Sequence, residues 1–254
     1  MAVKDILVYL DPTPAGESRL RLAANLAQAN AAFLTGASID GKAGNGGAGD
    51  GEDLQRRFEA ALAERQIEGE WLAVDGREAP ELTELAKAAD LTVLGQQSAA
   101  ARLRPEEVVV GAGRPVLVVP YAGNFEHVGR RVLVAWDDTR EAVRAVNDAL
   151  PLIAEAEAVT VMYVGPQEAN LKRTQPSLER IVRHLQRHAI DASPEASLSA
   201  DIAVSDVLLS RAADLDADLI VAGGYHHSQL REALLGGVSR ELLRHMTVPV
   251  LMSH

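Results

Sequence analysis

Short runs of aliphatic residues recur along the chain, and longer stretches with helical spacing of apolar positions separate them. In the second half, the strand-like run VLVAW precedes an Ala-rich and charge-rich stretch, residues 140–155, whose spacing predicts a helix. Continuous apolar strands that alternate with helices are typical of parallel βαβ units, in which helices cover both faces of the sheet. The pattern therefore predicts an α/β fold. Further strands are predicted at residues 159–164, 219–222 and 249–252, and further helices at residues 178–188, 203–215 and 239–245.

The strand-like runs of the first half reappear in the second half in the same order. KDILVYLD at residues 4–11 matches RRVLVAWD at residues 130–137, and ADLTVLG later matches ADLIVAGG. RPVLVVP matches VPVLMSH towards the end of each half. Three ordered matches indicate a duplication, so we predict one domain over residues 1–122 and a second over residues 130–254. Within the first copy, six glycines in residues 41–51 predict a flexible loop between the second strand and the second helix.

The composition narrows the class of protein. Of 254 residues, 47% are hydrophobic and only 4% are aromatic, so the cores must be aliphatic. No window approaches the ~18 apolar residues that a membrane helix needs, and the first residues predict a strand directly rather than a signal peptide. The absence of Cys excludes disulfides, thiolate metal sites and cysteine nucleophiles. A net charge of −11 disfavours the binding of nucleic acid. Since the sequence also predicts no membrane helix, no signal peptide and no disulfide, we expect a cytoplasmic protein that binds neither nucleic acid nor membrane.

Candidate ligand-binding residues follow the first strand of the second copy. In open parallel sheets, ligands bind beyond the carboxyl ends of the strands, where the strand order reverses. Ala135, Trp136 and Asp137 lie at such a strand end. The Asp137 carboxylate can accept a hydrogen bond from a ribose hydroxyl or a base amine. Alternatively it caps the following helix, a role that Asp138 or Thr139 can fill equally well.

A glycine-rich stretch follows the fourth predicted strand of the second copy. Gly223 closes that strand, a loop follows, and the pair Gly236 and Gly237 opens a helix at Val238. Unpaired N–H groups and the helix dipole make such a helix start an anion site, for which phosphate is the natural ligand. The alternative is a glycine-rich turn that holds no ligand.

These motifs, in this order, resemble the universal stress protein family in its tandem, two-domain form. The resemblance rests on the hydrophobic strand that ends in Asp, on ADLIVAGG and on LLGGVSRELLRHMTVPVLM, and it covers nearly the whole chain. It implies two open parallel five-stranded sheets of order 3-2-1-4-5 with helices on both faces. Many members bind ATP or AMP at the carboxyl edge of the sheet. The resemblance places Ala135, Trp136 and Asp137 beside adenine and ribose, and the backbone of Val164 opposite the base.

The family's phosphate motif is matched in part. Gly223 and Gly236 match its first and third positions with the spacing intact, whereas His226 and Gly237 replace the second glycine and the final hydroxyl residue. His226 either obstructs the phosphate or donates a hydrogen bond to it. In the first copy, Gly95 to Pro115 spans 20 positions against 26 from Gly223 to Pro249, so six residues are missing where the phosphate loop belongs. The resemblance therefore implies one site per chain.

Other chemistry finds less support in the sequence. His184 and His188 have zinc-ligand spacing on a helix, but a solvated Arg/His face explains them better. The sequence contains no P-loop and no GxSxG elbow. We therefore predict a stress-response protein, not an enzyme, that binds an adenine nucleotide (ATP or AMP) in its C-terminal domain without substantial turnover. The alternative function is an interaction or scaffold module that keeps the fold without the ligand.

The last strand of each copy supports one further expectation. In the family's strand order these apolar runs form sheet edges, and exposed apolar edges promote aggregation. The family's single-domain members dimerise through this strand, so we predict that the two copies pack against each other as an intramolecular pseudo-dimer. Further association into a homodimer has no support in the sequence.

Overall fold

The structure is a computed structural model that describes residues 2–40, 48–75, 78–97, 103–224 and 237–254. The chain divides into an N-terminal unit, Met1–His127, and a C-terminal unit, Val128–His254. Each unit is an α/β layer structure with its own aliphatic core. The predicted packing of the copies as a pseudo-dimer stays a prediction.

The N-terminal unit has a sheet of order β3-β2-β1-β4-β5, in which all neighbouring strands are parallel. Its described elements are β1 (Asp5–Tyr9), α1 (Pro14–Asn30), β2 (Phe33–Asp40), α2 (Ala48–Arg65), β3 (Gly69–Asp75), α3 (Glu78–Ala86), β4 (Leu91–Gly95), α4 (Pro105–Ala112) and β5 (Val116–Val119).

The C-terminal unit repeats this topology with the order β8-β7-β6-β9-β10, again with parallel neighbours. Its described elements are β6 (Arg131–Ala135), α5 (Arg140–Ile153), β7 (Ala158–Gly165), α6 (Glu168–Arg187), β8 (Ala192–Leu198), α7 (Val204–Asp214), β9 (Leu219–Gly223), α8 (Gly237–His245) and β10 (Val250–Ser253). The predicted strand order 3-2-1-4-5 is therefore confirmed in each unit.

The central strands are buried because helices cover both of their faces. Val8 in β1 and Val134 in β6 are almost fully buried, as are their neighbours in β4 and β9. The edge strand β8 has the sequence ASPEASL and is mostly exposed, so its pattern did not predict a strand. Its backbone pairing with β7 extends over seven residues and defines it as one.

Two predicted segments differ from the structure. The flexible loop predicted over residues 41–51 is wrong for its last part, because α2 begins at Ala48; residues 41–47 lie outside the described part of the chain. Buried Leu54 and Phe58 hold α2 against the sheet, and such packing outweighs the low helix propensity of glycine. Helix α6 begins at Glu168, ten residues before the predicted start, and includes Pro176.

Among the described residues, no helix combines the length and the apolar composition that spanning a bilayer requires.

Candidate functional site

A cavity of about 340 Å³ opens at the carboxyl edge of the C-terminal sheet, between the ends of β6 and β9. The strand order reverses at this point, where ligands of open α/β sheets bind. The volume lies within the range of small-molecule pockets, and the walls are mostly apolar. The cavity is lined by Ala135, Trp136, Asp137, Thr139, Glu141, Met162, Tyr163, Val164, Val204, Leu208, Ala222, Gly223, Gly237, Val238, Ser239 and Leu242.

The structure brings most of the sequence-predicted residues together at this cavity. Seven of the nine line it, from four different segments of the chain: Ala135, Trp136, Asp137, Val164, Gly223, Gly237 and Val238. The other two, His226 and Gly236, lie outside the described residues.

Asp137 follows β6 as an exposed residue, and the protein holds one of its two carboxylate oxygens. Its Oδ1 accepts hydrogen bonds from the backbone N–H of Thr139 at 3.1 Å and from the Thr139 hydroxyl at 2.6 Å. Thr139 in turn caps α5, since its Oγ1 accepts from the Ala142 N–H at 3.2 Å. The helix cap is therefore Thr139 and not Asp137. Within the described part of the chain, Asp137 Oδ2 has no hydrogen-bond partner and is available to a ligand donor.

Gly223 ends β9 directly against the start of α5. A Cβ atom there would lie 2.6 Å from the backbone nitrogen of Ala142 and 2.8 Å from the carbonyl carbon of Glu141. Neither backbone atom can retreat without moving the helix. The position requires glycine, which explains its place in the motif independently of any ligand.

The sequence analysis missed several polar residues of the cavity, among them Glu141 and Ser239. Glu141 lies in the first turn of α5, and its side chain is only 2% exposed; Arg140 Nε pairs with its Oε1 at 2.6 Å. Ser239 in α8 donates a hydrogen bond from Oγ to the Gly223 carbonyl at 3.3 Å. The carboxylate of Glu141 opposes bound anions, whereas the N-terminus of α8, which begins at Gly237, attracts them. The helical spacing alone gave no reason to place Glu141 inside rather than on the surface.

A hydrogen-bond relay that is buried at Trp136 and partly buried at Asp138 fixes the loop that carries Asp137. Trp136 Nε1 donates to Ser177 Oγ at 2.9 Å, and the Ser177 hydroxyl donates to Asp138 Oδ1 at 2.5 Å. Asp138 itself has φ of +64°, a left-handed conformation that is costly for a residue with a Cβ atom. The relay thus ties helix α6 to the segment between β6 and α5, and it holds Asp138 in this conformation.

We expect Ser177→Ala to lower the free energy of unfolding of the C-terminal unit by about 1–3 kcal/mol, because the buried Trp136 N–H loses its partner. Trp71 and Trp136 are the only tryptophans, one in each unit, so urea unfolding in a Trp71→Phe background reports this unit. The exposed Ser210→Ala on α7 is the control. Equal stability of the two variants would contradict the relay.

The N-terminal unit carries an aspartate at the corresponding position. Asp11 follows β1, and its Oδ1 accepts from the Thr13 N–H and hydroxyl just as Asp137 accepts from Thr139. Its Oδ2, however, accepts from Arg19 Nη2 at 2.8 Å. Burial raises the pKa of the Asp11 carboxyl, but the Arg19 guanidinium and the Thr13 donors together lower it by more than burial raises it. The pKa therefore lies below its ordinary value of 3.8.

This lowered pKa gives the N-terminal unit an acid-dependent stability. A carboxyl with a lower pKa in the folded state stabilises that state above the unfolded pKa, and the contribution disappears as the pH falls through the folded pKa. We therefore expect the free energy of unfolding, followed by Trp71 in a Trp136→Phe background, to fall from about pH 5 downwards. Asp11→Asn should remove part of this fall, whereas Glu17→Gln on the exposed side of α1 should not. Identical pH profiles for both variants would contradict the assignment.

Known proteins provide an independent comparison. Residues 129–254 match the model of the Universal stress protein family. No curated protein matches the chain. The structure is similar to that of a universal stress protein from Archaeoglobus fulgidus DSM 4304, with 14% identity, a TM-score of 0.74 and coverage of 98% of this chain and 97% of that chain. It is also similar to a functionally unknown protein from Pseudomonas aeruginosa PAO1, with 16% identity, a TM-score of 0.70 and coverage of 99% and 92%. These likenesses extend the fold to the N-terminal unit.

Proposed function

Because residues 129–254 belong to the universal stress protein family, we propose that the C-terminal unit binds an adenine nucleotide, ATP or AMP, without substantial turnover. The observation that carries this proposal is the cavity at the sheet switch point, lined by Asp137, whose Oδ2 has no hydrogen-bond partner among the described residues. A hydroxyl or amine of the ligand supplies the donor that this oxygen lacks.

The walls of the cavity suit the three parts of a nucleotide. Met162 and Val164 on β7, together with Leu208 on α7, offer an apolar surface for the base. Asp137 accepts a hydrogen bond from a ribose hydroxyl. Gly237 and Val238, at the N-terminus of α8, line the cavity, and the N–H groups of a helix start suit a phosphate.

The polar groups of the cavity favour a nucleotide with one phosphate group over a nucleotide with three. Gly237 supplies an N–H group but no hydroxyl, so a γ-phosphate lacks that contact. The Glu141 carboxylate lines the same cavity, and its pairing with Arg140 at 2.6 Å compensates its charge only in part.

We expect one nucleotide per chain, with AMP bound more tightly than ATP. Isothermal titration of protein freed from bound nucleotide measures both quantities, and mass analysis of the denatured protein identifies any nucleotide that co-purifies. Two equivalent sites would contradict the assignment to the C-terminal unit. If neither nucleotide binds and none co-purifies, the proposal is wrong and an interaction module that keeps the fold becomes the better function.

A further inference from the structure

Arg19 occupies the N-terminal unit at the place that corresponds to the C-terminal cavity. Its side chain is only 2% exposed, and Nη2 donates to Asp11 Oδ2 at 2.8 Å. A Cβ atom at Gly95 would overlap Arg19 Nη1, so the guanidinium lies directly on the glycine that ends β4. The group therefore spans the ends of β1 and β4, the switch point of this sheet.

The same positions in the C-terminal unit hold alanine. Tyr9 is the last residue of β1, and Ala135 is the last residue of the equally long β6. Arg19 and Ala145 each lie eight residues after the aspartate of their unit, in the helix that begins beyond it. A tyrosine and an arginine thus replace two alanines around the same switch point.

The two large side chains are held in place by their surroundings. The Arg19 Cζ atom lies 5.8 Å from the centre of the Tyr9 ring. The Tyr9 hydroxyl hydrogen-bonds with Glu78, and burial raises the pKa of Tyr9, so the hydroxyl stays protonated. Both side chains are buried. The guanidinium lies over the Tyr9 ring, and the two side chains hydrogen-bond to Asp11 and Glu78, so together they fill the region.

The hydrogen-bond pattern of the two aspartates shows what the guanidinium replaces. In both units a threonine two residues later binds Oδ1 through its N–H and its hydroxyl. Asp11 Oδ2 receives its donor from Arg19, whereas Asp137 Oδ2 has none among the described residues. Arg19 thus supplies, within the chain, the donor that the proposed function assigns to a ligand in the other unit.

We propose that Arg19 closes the nucleoside half of the N-terminal site by supplying Asp11 with the donor that a ligand would otherwise provide. This inference rests on the proposed function. It explains why the nucleoside part of the N-terminal site is closed, whereas the missing phosphate loop explains only the loss of the phosphate part. Shortening this one side chain opens the space beside Asp11 and frees Oδ2 for a ribose hydroxyl. Because the N-terminal unit lacks the phosphate loop, its opened site takes a nucleoside, for which adenosine is the probe.

The test compares adenosine binding to the wild type, Arg19→Ala and Arg21→Ala by equilibrium dialysis. Arg21 lies on the same helix but is 38% exposed, so its variant controls for a lost charge on α1. We expect Arg19→Ala to bind one more adenosine per chain than the other two. An additional Asp137→Ala substitution then assigns the gained site to one unit. If the site lies in the N-terminal unit, Arg19→Ala/Asp137→Ala still binds the additional adenosine. If Arg19→Ala does not fold, Arg19→Gln, which removes the guanidinium and shortens the side chain while keeping the Asp11 carboxylate, is titrated instead.

The outcomes separate this inference from the proposed function. An equal number of adenosine sites in all three folded proteins overturns the role of Arg19, even if the wild type binds AMP. A site gained in Arg19→Ala supports it, even if the wild type binds no AMP and the proposed function fails. A gained site that disappears with Asp137→Ala also overturns it, because the gain then belongs to the C-terminal unit.

Discussion

Arg19→Ala is expected to lower the free energy of unfolding of the N-terminal unit by about 3–5 kcal/mol, the usual cost of removing one partner from a buried ion pair. The substitution leaves the Asp11 carboxylate, whose side chain is 14% exposed, without its cation. It also leaves an empty space against Gly95 and Tyr9. Urea unfolding in a Trp136→Phe background measures the effect, since Trp71 then reports the N-terminal unit alone.

Arg21→Ala is the control for this measurement. Arg21 pairs with Glu17 at 3.4 Å on the surface, and exposed pairs contribute about 0–1 kcal/mol. Asp11→Asn/Arg19→Ala should recover part of the lost stability, because no buried charge remains unpaired. If Arg19→Ala and Arg21→Ala unfold at the same urea concentration, the buried ion pair does not stabilise the unit as argued.

Asp137→Ala is expected to weaken AMP binding by about 10–100-fold, because a hydrogen bond to a charged group contributes about 1.5–3 kcal/mol. The ligand loses its acceptor at Oδ2, while the cap of α5 remains because Thr139 supplies it. Isothermal titration at constant pH and salt measures the change. Urea unfolding followed by Trp136 checks that the C-terminal unit is still folded.

The matched control is Asp11→Asn in the N-terminal unit. Asp11 already has Arg19 as its donor, so this substitution should leave AMP affinity unchanged. A similar loss of affinity in both variants would show that the aspartates act through stability and not through the ligand. An unchanged affinity in Asp137→Ala would remove Asp137 from the site.

The sequence predicted correctly those elements whose cause lies in neighbouring residues, and it missed those that depend on contacts between distant residues. The runs DILVY and RVLVA are mostly apolar because helices cover both faces of the central strands. A continuous apolar run can be recognised from the sequence alone. The edge strand β8 has no such pattern, because only one of its sides pairs and most of its residues face solvent. The start of α6 was missed because Pro176 interrupts the local signal, although buried Ser177 and Leu178 hold the helix against the sheet.

The site shows the same division. Asp137 and Gly223 were identified because a strand end in an open sheet is a place where ligands bind, and the position along the chain reveals strand ends. Glu141 was missed, since nothing in a charged first turn tells whether it faces solvent or the cavity. The Trp136–Ser177–Asp138 relay was missed because Ser177 lies 41 positions from Trp136 and they meet only through packing.

The sequence by itself determined the duplicated α/β fold, the strand order that its family resemblance implied, and the strand ends at which a ligand would lie. The tertiary structure alone decided how the two sites differ. Arg19 and Ala145 occupy equivalent helical positions, and only the contacts of Arg19 with Asp11, earlier in the chain, and with Gly95, much later, turn a surface-type residue into a buried one. Such a contact depends on which strand ends the fold brings together, and periodicity along a single helix carries no information about it.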